Sequence, residues 1–346
     1  MEIIALNENF LPEGLTKLPY FDLVWDRKYY ETGQFMVQIR ARDYSDRMKY
    51  LFTMDRPELG VIQKVVYQAE EGMVEMSGFF YEKRLADKII YPMFARYGTR
   101  SAYVAEAVRQ YKGDIPKLAV AAYADEGEKI QKQEAWVNLE EMAHTTLQVE
   151  SRAYRCVYDY ENDVIRFEIY RGVDRTQGQE TANFVTFSRG FRNIKNVKAQ
   201  RDSSAYKNYF LVGGQGEGAD RIVEVLDLSG GAYRQELFID SRKTYNAAKQ
   251  TIEEYRASLV QAAVETAQKH VVINNVEFDA MADTGARYLE DYDLGDKCDI
   301  ILDQIKMSYE ARIIEVMETW SRGEHRVTLT FGDKIPTLYE KVRMKG

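Results

Sequence analysis

The chain has 346 residues, 45% hydrophobic and 29% charged, enough to bury a sizeable core and too apolar for wholesale disorder. At roughly 150 residues per domain the length suggests about two or three domains. The formal net charge of -8 argues against a protein that grips nucleic acid, which needs clustered Lys and Arg, although acidic walls would let DNA slide through a channel without adhering.

The first twelve residues carry acidic side chains and no apolar core of a signal peptide, and no run near 18 apolar residues predicts a membrane helix. Cys156 and Cys298, the only cysteines, make neither a disulfide framework nor a zinc site and read as buried small hydrophobes, so folding in a cytoplasm is expected. The 25 tyrosines favour strands and suit surfaces that become interfaces.

In chain order, Phe21 to Trp25, Gly33 to Arg40, Lys49 to Met54, Gly60 to Gln68 and Gly72 to Phe80 read as short strands separated by turns, the pattern of a small barrel or sandwich over residues 1–92. From Tyr81 to Ile90, and again from Ser101 to Tyr111, apolar residues fall at helical spacing, with Ser101 as a cap. These helices open an α+β insertion over 93–180, in which strands return from Glu134 to Tyr170. Asn183 to Phe187, Asn193 to Arg201, Asn208 to Gly213 and Ile222 to Leu228 continue as strands of a second β unit that begins at 181–243. A helical insertion occupies 244–270, its long helix running from Thr244 to Lys269. The second β unit resumes over 271–346 with Val271 to Phe278, Lys297 to Gln304, Tyr309 to Thr319 and His325 to Phe331. The fold class is α+β, mainly β.

The residues that could carry chemistry do not assemble into a motif. His144, His270 and His325 sit in no metal-binding spacing, and no Ser lies in a G-x-S-x-G frame. The run Gly213 to Arg221, with Gly214, Gly216 and Gly218, lacks the Lys and the following helix that a phosphate loop requires, and Glu217 and Asp220 would repel phosphate; it reads as a hairpin. Asp291, Asp293 and Asp296 could attract calcium but lack the EF-hand spacing, and they also suit an ordinary turn. No catalytic residue, cofactor site or metal site is expected. Trp25, Trp136 and Trp320 lie in or beside strand patterns and are expected in the core rather than on a glycan-binding face.

An ordered series does carry information: RGVDRT at Arg171 to Thr176, FSRGFRNIKNV at Phe187 to Val197, RDSSAYKN at Arg201 to Asn208, GGQGEGADR at Gly213 to Arg221, RQELFIDSR at Arg234 to Arg242 and DYDLGD at Asp291 to Asp296. It is flanked by GFFYEKRLADKIIYP at Gly78 to Pro92 and FGDKIPTL at Phe331 to Leu338. This series resembles the gene-product-thirty-seven-like tail protein family of siphoviruses and prophages, related to baseplate hub proteins. The resemblance implies two β-barrel, tube-like domains with α+β insertions. It implies a homotrimer whose ring continues the tail tube, and partners among the distal tail and tail tube proteins, the tape measure protein and the spike or fibre. Phage DNA would pass through the channel without specific binding. It also implies a virion location at the tail tip after assembly in the host cytoplasm, with no membrane insertion. Since the chain ends soon after its last strand, no peptidase or glycan-binding extension is expected. A cell-wall-directed enzyme and a glycan-binding adsorption module are the alternatives. Asp174, Arg175, Gly214, Gly216, Gly218, Asp240, Arg242, Asp291, Asp293 and Asp296 are the interface or turn candidates. Arg175→Ala is expected to lower the yield of assembled, infectious particles; normal particle number and infectivity would remove Arg175 from the interface.

Overall fold

The computed structural model describes residues 1–241, 245–248, 250–281 and 285–332. Alternation with a period of two builds its main sheet: Leu23, Trp25 and Arg27 share one buried face of a strand, as do Phe35, Val37 and Ile39 of the next. The elements are β1 (Ile4–Leu6), β2 (Asp22–Lys28), β3 (Gln34–Arg40), β4 (Tyr50–Phe52), β5 (Gly60–Gln68), β6 (Met73–Phe80), β7 (Phe94–Thr99), α1 (Arg100–Tyr111), β8 (Leu118–Val120), β9 (Lys129–Glu134), α2 (Leu139–Gln148), β10 (Ala153–Asp159) and β11 (Val164–Tyr170). They continue as β12 (Thr186–Ser188), β13 (Ile194–Asp202), β14 (Tyr209–Gly213), β15 (Val223–Asp227), β16 (Glu236–Asp240), α3 (Ile252–Ala267), β17 (Ile273–Ala280), β18 (Lys297–Leu302), β19 (Met307–Ser321) and β20 (Glu324–Phe331).

Twelve strands form one sheet along the path β1-β4-β5-β6-β3-β2-β19-β20-β17-β13, with β18 pairing β19 and β12 pairing β18. This sheet is two sets of six strands with one plan. Numbered by chain order within each set, β1-β4-β5-β6-β3-β2 and β12-β18-β19-β20-β17-β13 both read first, fourth, fifth, sixth, third, second. The sets differ at one pairing, β1 being antiparallel to β4 whereas β12 is parallel to β18. They meet where β2 runs antiparallel to β19, from Lys28 opposite Glu315 to Asp22 opposite Ser321. The path stays open at β1 and β13 and closes no barrel among the described residues.

Each set has its own apolar core, the first around Trp25, Phe35 and Phe80, the second around Phe187, Phe278 and Phe331. The segment between them adds the sheets β7-β9 and β10-β11-β8, with α1 and α2 packed into a third core. Residues between β13 and β17 form a separate unit, the sheet β15-β14-β16 with α3 across one face.

Several expectations need correction. Tyr81–Asp87 is a 3₁₀ helix. The cap of α1 is the Thr99 side chain, which accepts from the Ala102 amide, because Ser101 is already helical. The region assigned to strands after Glu134 contains α2, whose buried residues Leu139, Met142, Ala143, Thr146 and Leu147 follow a helical stripe, with Asn138 as cap. Thr244 lies outside the described residues, and α3 begins later than expected, at Ile252. There Thr251 and Glu254 exchange capping-box hydrogen bonds. Trp25 is buried and Trp320 half-buried, but Trp136 is 72% exposed and lies 4.9 Å from the ring of exposed Tyr91.

The 3₁₀ segment after β6 is tied to β10 by Glu82, whose Oε1 accepts from the Cys156 amide at 2.8 Å while Oε2 finds no hydrogen-bond partner. Burial pushes the Glu82 carboxyl up from its ordinary 4.5 to about 7. Between those values the folded chain holds a proton that the unfolded chain has lost, so Glu82 makes stability fall as pH rises through this window. Glu82→Gln is therefore expected to be more stable than wild type above pH 7, by roughly 3 kcal/mol. The gap should close below about pH 4.5, as read by urea unfolding across pH.

Candidate functional site: the junction of the two strand sets

The alternation that buries Leu23 and Trp25 also buries Arg27. A guanidinium in a core must be matched by carboxylates and hydrogen-bond acceptors. Arg27 Nε donates to Glu58 Oε1 at 2.6 Å, and its Nη1 donates to the Tyr288 hydroxyl at 2.6 Å and to Asp293 Oδ1 at 2.7 Å. Glu58 precedes β5 in the first set, whereas Tyr288 and Asp293 belong to the loop before β18 in the second. Burial alone would lower the Arg27 pKa, but Glu58, Tyr288 and Asp293 outweigh it and hold the guanidinium charged.

A second arginine extends the network. Arg56 donates from Nε and Nη2 to the two oxygens of fully buried Glu318 at 2.7 and 2.6 Å. Its guanidinium also lies 5.3 Å from the centre of the Tyr288 ring. His325 Nε2 sits 3.1 Å from Glu318 Oε2, and its ring stacks on Trp320 at 4.4 Å. Burial raises the Glu318 pKa, but hydrogen bonds from His325 and Arg56 more than reverse this and leave it below the ordinary value. Elsewhere along the same strand pair, burial and then the Glu315 charge push Asp26 up to about 7, with Lys28 nearby at 3.8 Å.

The expected residues distribute unevenly around this junction. Asp293 is in it. Asp296 accepts from the Val173 amide at 2.7 Å and from the Asp293 amide at 3.1 Å, and it pairs with Arg175 Nε at 2.5 Å, so DYDLGD and RGVDRT lock together. Asp174 caps this turn by accepting from the Thr176 amide and hydroxyl at 3.0 and 2.7 Å. Burial raises the Asp174 pKa, but those bonds, with the Lys297 and Arg312 charges, leave a net lowering. Gly295, at φ 94°, lies against the Tyr29 ring, where an added Cβ would fall 2.3 Å from Cε2. Asp291 only closes its own turn, accepting from the Arg287 amide at 2.7 Å.

The remaining candidates lie elsewhere, in the unit built on α3. Gly214 allows Tyr255 and Leu259 to approach its backbone, Gly216 and Gly218 take positive φ at 102° and 53°, and Asp240 pairs with Arg221. The run is a hairpin, closed by Gly214 N to Ile222 O at 2.8 Å. Arg242 lies outside the described residues. Sequence reasoning missed Arg27, Glu58, Arg56 and Glu318. The signal for Arg27 was its place at an inward position of an alternating strand. Glu58 and Glu318 carried no comparable signal, because neither their neighbours nor their spacing marks them as partners of arginines far along the chain. No group of His, Cys, Asp and Glu among the described residues is placed to hold a metal ion, and Cys156 and Cys298 are buried free thiols.

This arrangement ties the first strand set to the second. The chain matches the tail protein from Neisseria meningitidis MC58 at TM-score 0.59 and 13% identity, covering 96% of each chain. It matches the 43 kDa tail protein of prophage MuSo2 from Shewanella oneidensis at 0.56 and 13%, covering 96% of this chain and 98% of that one. The prophage tail protein gp18 from Listeria monocytogenes EGD-e matches at 0.55 and 12% over the full length of both. The fold is that of the phage tail proteins. No curated protein matches. Within that class, the chain belongs to the Siphovirus ReqiPepy6 Gp37-like protein family, whose model matches residues 19–333.

Arg27→Ala is expected to destabilise the chain by about 3–5 kcal/mol, because it strands Glu58 as an uncompensated buried charge. Arg27→Ala with Glu58→Gln should recover part of that loss in urea unfolding.

Proposed function

We propose that the chain is a structural subunit of a tail-tip or baseplate hub, working as a homotrimer whose ring continues the tail tube. The observation that carries this reading is the duplicated strand plan: each subunit would contribute two six-stranded sets of one order, so three subunits would present six, matching a tube of six-fold character. The formal net charge of -8 supports a channel wall that DNA passes without adhering. The absence of an enzymatic role is part of the same proposal, supported by the family and by polar clusters that tie the chain's own segments together. The expected partners are the distal tail and tail tube proteins on one side, the spike or fibre on the other, and the end of the tape measure protein. Arg175 would act on assembly through the Asp296 turn that it holds. Light scattering of the purified protein, alone and with its neighbouring tail proteins, is expected to give a threefold mass or a discrete larger complex. A persistent monomer that joins no tail component would overturn the hub reading.

A further inference from the structure

The contact between β2 and β19 has a missing counterpart. β2 is the second strand of the first set and pairs with the fifth strand of the second set. By the same plan β13, the second strand of the second set, should pair with the fifth strand of a first set, which is β5. Within one chain it does not: β13 ends the sheet path, and β5 pairs with β4 only at Gly60 and Val61. Among the described residues, the outer edge of β5 beyond Ile62 and the outer edge of β13 have no strand partner.

The equivalence extends to single residues. β5 shifts register against β6 between Ile62 and Lys64, and β19 shifts against β20 between Ile313 and Glu315. Aligning these bulges sets Lys64 on Glu315 and Val65 on Val316, with Met76 of β6 on Leu329 of β20. Val316, in the strand that β2 covers, is 0% exposed, whereas Val65 is 42% and Tyr67 62% exposed. Yet Val65 and Tyr67 lie opposite Met76 and Val74, both buried, so they stand on the core-facing side of an uncovered edge. β13 repeats the anomaly: Ala199 is exposed although it lies opposite buried Val276. Ala199 and Val197 also line a cavity with Ile301 and Leu302.

We propose that β13 of one copy pairs antiparallel with the Lys64–Gln68 stretch of β5 in the next copy, so that the sheet runs on from subunit to subunit. This pairing rests on the ring reading and supplies its subunit contact, a heterologous edge-to-edge joint that closes when the rotation permits. Setting the last residue of β13, Asp202, where the last residue of β2, Lys28, stands fixes the register. Lys64 then faces Asp202, Val65 faces Arg201, Val66 faces Gln200 and Tyr67 faces Ala199. In the internal joint Lys28 faces Glu315, so the charge pair recurs with its signs exchanged. The large Tyr67 ring meets the smallest side chain of the β13 edge and fills the cavity beside it. Farther along, Lys195 and Lys198 come beside Glu70 and Glu71 at the β5–β6 turn. Bulges and charges of this kind otherwise protect an exposed edge from random pairing, and here they would select one partner.

The test is Val66→Cys with Gln200→Cys in the full chain, oxidised mildly and read on a non-reducing gel, alongside Tyr67→Arg read by light scattering and circular dichroism. Cross-linked dimers and trimers that vanish with reductant, absent from wild type and both single variants, are expected. Tyr67→Arg is expected to remain folded and lose the threefold mass, because it sets a third cation beside Lys198 and Arg201. A threefold mass that survives Tyr67→Arg, with no cross-link in the double variant, would overturn this joint while leaving the ring intact. A wild-type chain that stays monomeric alone and with its tail partners would overturn the ring and the joint together.

Discussion

Arg27 is the constraint on which the architecture turns. An apolar contact between two strands could slide by two residues and keep its hydrophobic face. A buried guanidinium cannot slide, because its donors must reach Glu58 in one strand set and Tyr288 and Asp293 in the other at the same time. The β2–β19 register, and with it the relation between the two sets, is pinned by that requirement. Arg56 and Glu318 repeat the device a short way along, with the Tyr288 ring between the two arginines. The cost of desolvating these charges is met by near-complete pairing, which makes the junction specific more than it makes it strong.

The insertions are held differently from one another. α1, α2 and β10–β11 share a continuous apolar core with Phe10, Tyr50 and Leu59, and so belong mechanically to the first strand set. The unit carrying α3 keeps its own small core around Phe210, Tyr255 and Leu259. It meets the rest of the chain through polar contacts: buried Lys132 with Glu265 at 2.5 Å, Arg100 with Gln261 at 3.2 Å and Gln250 with Gln133 at 3.1 Å. Interfaces of that composition resemble transient ones more than they resemble a shared core.

In the proposed ring, the duplicated plan would bring a physical economy. A joint formed once inside the chain, between β2 and β19, is a template for the joint proposed between chains. Edge strands are ordinarily a hazard, and the proposed ring would use two of them, the outer edge of β13 and the uncovered stretch of β5, as complementary partners.

Much of the β framework was legible in the sequence, because a period of two marks a half-buried strand wherever it occurs: β5 stands at the expected residues, and most other strands of the two sets within a few. The polar signatures were legible too, in that DYDLGD and RGVDRT mark real turns. What escaped were features set by partners distant in the chain. α2 was read as strand although Asn138 and the Leu139, Met142, Ala143 stripe signal a helix, because the neighbouring segments alternate. Trp136 was assigned to the core by its chemistry, while its 72% exposure follows from its position outside any packed face. That Asp296 meets Arg175, or that Arg27 finds Glu58, could not be read from spacing, since each pair is brought together by strand order and not by chain proximity. The sequence by itself determined the mainly β class and the family. The tertiary structure alone decided the repeated strand plan and the buried charges at its centre, because local periodicity is a property of each segment whereas pairing is a property of the whole fold.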